Sequence, residues 1–141
     1  MSQENVEVAR TVVEAFDAGD WDCYFDQLDP DVEWWDRGDD PGGTVHRGHE
    51  GVRAFLAELA ETVEFGVEAT EFVDTAEWVV VSLRLHGHGE TSGAEFEDHE
   101  VHALRLRNGK IVEVREYRTK EQALEAVGLR ELAMSAGHAA R

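Results

Sequence analysis

Apolar residues recur along this chain with two different periods, and the switch between them divides it into helical and strand-forming parts. Val6, Ala9, Val13 and Phe16 fall at three- and four-residue steps, one face of an amphipathic helix, with Ser2 available as its cap and Gly19 as its stop. Asp20 then caps a second, short helix whose Trp21, Phe25 and Leu28 share a face and whose end is marked by Pro30. Residues 31–36 read as a short aromatic strand, and residues 37–43 as a loop rich in Gly, Asp and Pro. A third helix follows Gly48, where Val52, Phe55, Leu56 and Leu59 repeat the helical stripe.

Period-two alternation then takes over. Val63, Phe65, Val67 and Ala69 alternate with Glu64, Gly66, Glu68 and Thr70, which predicts a half-buried strand. Asp74 to Glu77 form a turn, and residues 78–86 are apolar enough to make a central strand. A flexible loop over 87–93 leads to a third long strand over 94–107, and Asn108-Gly109 is a strong hairpin signal before a fourth over 110–118. Thr119 with Gln122 forms a capping box for a closing helix over 121–127, ended by Gly128. The Ala-rich tail over 130–141 has little to pack against and is expected to fray. Three helical stripes need an apolar surface to cover, and the concave face of a curved antiparallel meander supplies it. The expected fold is α+β: a half-barrel sheet packed on three N-terminal helices, with a short C-terminal helix.

Composition narrows the function. The length of 141 residues fits one domain, and the hydrophobic content of 42% fits a packed one. The polar N-terminus lacks the features of a signal peptide, and no apolar run reaches the length of a membrane helix, so the expected location is cytoplasmic. The net charge of −18 argues against nucleic acid and anionic membranes as partners. Cys23, the single cysteine, excludes an internal disulfide; beside Asp22 and Asp26 it reads as a small helix residue and not a nucleophile.

Candidate chemistry lies on two strands and one strand end. By alternation, Asp98, Glu100 and His102 share the inward face of Leu104 and Leu106, a costly placement unless these groups pair or meet a cavity. Glu116 and Arg118 extend the inward face of Val112 and Val114, while Arg115 and Tyr117 take the opposite one. Asp36 would serve as a general base where it meets an apolar pocket. Trp34 and Trp35 are adjacent, so one at most faces the cavity. His86 and His88, Glu97 and His99, and His46 and His49 are closely spaced, but no HExxH or comparable set is present, and neither a metal nor a cofactor is expected.

Four strings carry a resemblance: residues 14–20 (Glu-Ala-Phe-Asp-Ala-Gly-Asp), 28–34 (Leu-Asp-Pro-Asp-Val-Glu-Trp), 46–48 (His-Arg-Gly) and 107–113 (Arg-Asn-Gly-Lys-Ile-Val-Glu). Together they resemble the SnoaL-like branch of the nuclear transport factor 2-like superfamily, over roughly residues 4–129 of a domain expected to span 1–129. The resemblance implies a cone-shaped fold with a cavity, a small apolar or aromatic ligand, and a homodimer formed through the outer sheet face of Arg105, Arg107, Arg115 and Tyr117. Relatives include ketosteroid isomerases, whose proton-shuttling aspartate matches Asp36, whose tyrosine donor matches Val12, and whose protonated aspartic acid matches His102. The Arg-x-Asp of limonene epoxide hydrolases matches Arg84-Leu85-His86, and their further aspartate matches Glu116. The implied function is cofactor-free acid–base chemistry, such as isomerisation, cyclisation, dehydration or hydrolysis. Asp36, His102 and Glu116 are the expected catalytic residues, and Tyr24, Trp34, Phe55, Glu100 and Arg118 the expected substrate contacts. A non-catalytic ligand-binding or dimeric structural module, with the cavity filled by Trp34, Phe55, Leu59 and Phe96, is the alternative.

Overall fold

A computed structural model describes residues 2–89 and 93–139, with side chains described up to residue 132 and not for Ser2. The order of elements is α1 (Ser2–Ala18), α2 (Trp21–Asp26), β1 (Leu28–Trp35), β2 (Val45–Arg47), α3 (Gly48–Ala60), β3 (Val63–Asp74), β4 (Trp78–Gly89), β5 (Glu95–Arg107), β6 (Lys110–Tyr117) and α4 (Lys120–Ala139). The capping role expected of the Ser2 side chain lies outside the described residues.

The six strands form one mixed sheet in the order β2-β1-β6-β5-β4-β3, in which β1 runs parallel to β6 and the other pairs are antiparallel. Helices α1, α2 and α3 cover one face. Ala9, Val12, Ala15, Tyr24, Phe25 and Val52 from these helices interlock there with inward residues of the strands. On β4, expected from its apolar run only as a central strand, Val79, Val81, Leu83 and Leu85 point into this core. The alternation forecast holds on β5, through Leu104 and Leu106. Trp78, Val80, Val101 and Ala103 point the other way into a second core, closed by Ala123 and Val127 of α4.

Several local expectations need correction. The short strand begins at Leu28, not 31, so Leu28 belongs to β1 and not to the second helix; Pro30 is accommodated where the β1–β6 register shifts. Strand β2 was not expected: its three residues pair only with β1. Residues 87–89 are part of β4, and the connection to β5 is shorter than 87–93. At the bulge between β5 and β6, Ile111 joins the buried core while Val112 stays half-buried. Helix α4 runs through Gly128, because Val127 is buried and Arg130 pairs with Asp39 beyond it. Thr119 does cap that helix, its hydroxyl accepting from Gln122 N–H at 3.1 Å, and the Gln122 side chain reaches back to Arg118 N–H.

Candidate active site

Strand β5 presents Glu100 and His102 on the face that carries Leu104, and cross-strand pairing sets Glu116 of β6 directly beside His102. Strand β1 lies on the other side of β6 and turns Trp34 inward, toward the same spot. These side chains form part of the wall of an inner cavity of about 170 Å³. Most of the wall is apolar and includes Val12, Val13 and Phe16 on α1, Leu28 on β1, Phe55, Leu56 and Leu59 on α3, Phe65 and Val67 on β3, and Val81, Leu83 and Leu85 on β4. Tyr24, 3% exposed, also lines it, and its hydroxyl has no hydrogen-bond partner among the described residues.

The polar groups form a chain. Glu100 Oε1 lies 3.0 Å from His102 Nε2, and Trp34 Nε1–H donates to Glu116 Oε2 at 2.5 Å. The Trp34 and His102 rings meet edge to face at 5.5 Å. Burial pushes the Glu116 carboxyl up to about 7; the His102 charge and the Trp34 bond pull it down, while the Glu100 charge adds to the rise. Burial also opposes charge on Glu100, but the hydrogen bond and charge of His102 outweigh it and hold Glu100 below the ordinary carboxylate range. Burial lowers the His102 value, and the bond to Glu100 with the charges of Glu116 and Glu100 reverses this, leaving it raised. The result is a Glu100–His102 ion pair beside a carboxyl that exchanges its proton near neutrality. Burial, with the Glu116 charge second, raises Tyr24 far above the ordinary phenol value, so its O–H stays a donor.

Glu100, His102 and Glu116 each offer one donor atom, all within 4.8 Å of one another, and could hold a metal ion. Mixed oxygen and imidazole donors suit a divalent cation. The three side chains are already engaged in hydrogen bonds, Glu100 with His102 and Glu116 with Trp34. Reasoning from sequence spacing missed this set, since two members lie on one strand and the third comes from its neighbour.

A second, outer cleft of about 530 Å³ adjoins the cavity and shares Glu100 and Glu116 with it. Asp36 and Arg118 line this cleft and not the inner cavity. Asp36 is therefore corrected as an inner-cavity base: its carboxylate accepts Thr44 N–H at 2.9 Å and meets His46 Nε2 at 3.2 Å, which binds the 36–44 loop to β2. Asp98 also opens on the outer cleft. His46 stacks on Phe55 at 4.2 Å, so the loop anchor touches the inner wall through one ring. Arg37, another lining residue, lies in a loop where no periodicity could single it out. Arg84 and His86 point away from the cavity, with Leu85 inward between them; Arg84 bridges Glu68 and Glu97 at 3.0 Å each. Val12 does line the cavity, where it can donate nothing. Trp35 faces outward beneath the Arg115 guanidinium, 4.3 Å from the ring centre.

The SnoaL-like domain model matches residues 9–114. The chain belongs to the SnoaL-like family. A nuclear transport factor 2-like protein of Burkholderia xenovorans LB400 is 31% identical with a TM-score of 0.70, covering 89% of this chain and 97% of its own. TerC, crystallised with polyporic acid, shares the SnoaL-like fold at 22% identity and a TM-score of 0.73, over 89% of this chain and 98% of its own. A Mycobacterium tuberculosis protein in complex with estradiol-17β-hemisuccinate shares it at 20% identity and a TM-score of 0.70, over 84% and 95%. No protein with a curated description matches the sequence. The family match ends at Val114, two residues short of Glu116, so the group that completes this SnoaL-like site lies just beyond the matched segment. No helix among the described residues is long and apolar enough to cross a membrane.

Proposed function

We propose that this SnoaL-like protein is a cofactor-free enzyme that moves protons on a small apolar molecule, with Glu116 as the group that takes and returns the proton. The observation that carries this reading is a half-buried carboxyl on an apolar cavity wall, raised to about 7 and paired across the sheet with a histidine. A base of that strength is half ionised near neutral pH, the condition general acid–base catalysis favours. His102, held charged by Glu100, places a positive charge beside Glu116, and the Tyr24 hydroxyl is the donor that Val12 cannot be. In an enolisation, Glu116 removes a proton from carbon next to a carbonyl, and Tyr24 O–H stabilises the oxygen as charge develops on it. Return of the proton to another carbon gives isomerisation; loss of hydroxide or attack by the enolate gives dehydration or cyclisation.

Cavity size limits the substrate. The volume of about 170 Å³ is close to that of an engineered cavity of roughly 150 Å³ that holds benzene, so one or two rings fit it. Binding of a small organic molecule is also the property carried over from TerC and the M. tuberculosis protein. A homodimer is proposed from family likeness, and it has to form around α4, which lies on the outer sheet face.

The test is deuterium uptake. Ketones and enones of one or two rings are incubated with protein in D2O, and exchange at the carbon next to the carbonyl is followed by NMR. At least one compound should exchange faster with the wild type, and Glu116→Gln should reduce that rate by about 10²–10⁴-fold. No exchange above buffer across the panel would leave a ligand-binding module in place of an enzyme, and equal rates with the variant would remove Glu116 as the base.

A further inference from the structure

We infer that the substrate carries a carboxylate, held in the outer cleft between Arg37 and Arg118 while its apolar end occupies the inner cavity. The inference deepens the proton-transfer reading and rests on it. Glu100 and Glu116 belong to the linings of both spaces, so a molecule with one end in each passes directly over the proton-carrying group.

Charge use across the molecule singles out the two arginines. With a net charge of −18, acidic partners abound, and most arginines have taken one. Arg10, Arg47, Arg84, Arg105, Arg115 and Arg130 all make ion pairs, and Arg53 sits over the Phe25 ring. Among the described residues, the guanidinium groups of Arg37, Arg107 and Arg118 have neither a hydrogen bond nor an ion pair, and two of these three line the outer cleft.

Of the five acids of the same cleft, Glu100 and Glu116 are bonded to His102 and Trp34, and the other three accept from the backbone. Asp36 accepts from Thr44 N–H, Asp40 from Gly42 N–H at 2.8 Å, and Asp98 from His99 N–H at 2.8 Å. The cleft therefore offers two guanidinium groups with no hydrogen bond or ion pair, of which Arg118 is near enough to Glu100 for its charge to favour that carboxylate, beside acids that already have partners. Arg37 is also positioned: a Cβ added at Gly43 would lie 2.7 Å from the Arg37 Cβ, so the loop packs closely against its stem. Arg118 is fixed through its backbone N–H by Gln122. Guanidinium groups match the planar, two-oxygen edge of a carboxylate. A dianionic phosphate meets more repulsion from a molecule this acidic, so the singly charged group fits better. The substrate class is a monocarboxylic acid with a benzene-sized apolar end.

Calorimetric titration with four probes tests this: 4-phenylbutanoate, 4-phenylbutanamide, 4-phenylbutylamine and 3-phenylpropyl phosphate. The acid should bind at least about tenfold more tightly than the amide, the ordinary gain from a charge-assisted contact, with the amine and the phosphate both weaker than the acid. Arg37→Gln and Arg118→Gln should each weaken the acid by about that factor and leave the amide unchanged, which separates lost contact from lost folding. An amide equal to the acid, an acid indifferent to both substitutions, or no binding by any probe overturns the inference. So does a phosphate or amine that binds best. If the amide matches the acid while Glu116→Gln still abolishes deuterium uptake, the carboxylate inference fails and the proton-transfer reading stands.

Discussion

Glu116 couples stability to pH because its two states live in different solvents. Unfolded, a glutamate titrates near 4.3, roughly; folded, burial holds this one up to about 7. A raised value means that the folded state prefers the protonated form. The stabilising contribution is therefore full below about pH 4.3 and is lost as pH rises to about 7. His102, also raised, adds a loss of the same sign as pH rises through its folded value; Glu100, lowered, acts oppositely and loses its contribution as pH falls. Glu116→Gln keeps the shape and stays neutral at every pH. Between pH 4.5 and 8 the stability of the wild type should fall relative to this variant by on the order of 3 kcal/mol. Urea unfolding of both proteins at constant ionic strength measures it, and parallel pH curves would show that Glu116 titrates as if exposed.

Single residues only act this way because strands aim them, and strand geometry is where the sequence was most legible. Alternation alone put Glu100 and His102 on the face of Leu104, and set Trp34 and Trp35 on opposite sides. What it could not give was the partner strand: His102 meets Glu116 through β5–β6 register, which the Asn108-Gly109 turn fixes, with φ of 54° and 77° at its two residues. The aim of Asp36 was hidden as well, since it leaves the strand and its direction depends on hydrogen bonds to Thr44 and His46. Strand β2 gave no signal because three residues have no period, and α4 overran Gly128 because tertiary packing outweighed a local helix stop. Glycines separate two kinds of element constraint. A Cβ at Gly87 would lie 2.1 Å from the Glu64 carbonyl oxygen and 2.6 Å from Phe65 Cα, so β3 has to move to admit it. At Gly109 a Cβ meets open space, and only the positive φ opposes it. Gly87→Ala should cost about 2–3 kcal/mol or more, and Gly109→Ala about 1 kcal/mol. Thermal unfolding of both ranks them, and a Gly87→Ala protein as stable as Gly109→Ala would mean that β3 and β4 are not packed this closely.

Over the whole molecule the dominant electrostatic fact is an excess of acid, 31 acidic residues against 13 basic ones. Compaction brings these charges together, so the folded state carries self-repulsion that the expanded chain relieves. Salt acts on two opposing contributions. It weakens favourable exposed pairs such as Arg84 with Glu68 and Glu97, but pairs of that kind contribute only about 0–1 kcal/mol each. It also screens the repulsion among all the remaining acids, as the Debye length falls from about 30 Å at 0.01 M to about 3 Å at 1 M. The second effect involves more charges at longer range, and it wins. The melting temperature should therefore rise with KCl over that range, by roughly 5–10 °C if screening recovers about 2 kcal/mol. Chloride is the suitable anion, because sulfate would strengthen apolar burial as well and mix two causes. Scanning unfolding in KCl at fixed pH reads the slope. A flat or falling midpoint would mean that the arginine pairs, and not the uncompensated acids, set the electrostatic balance of the fold.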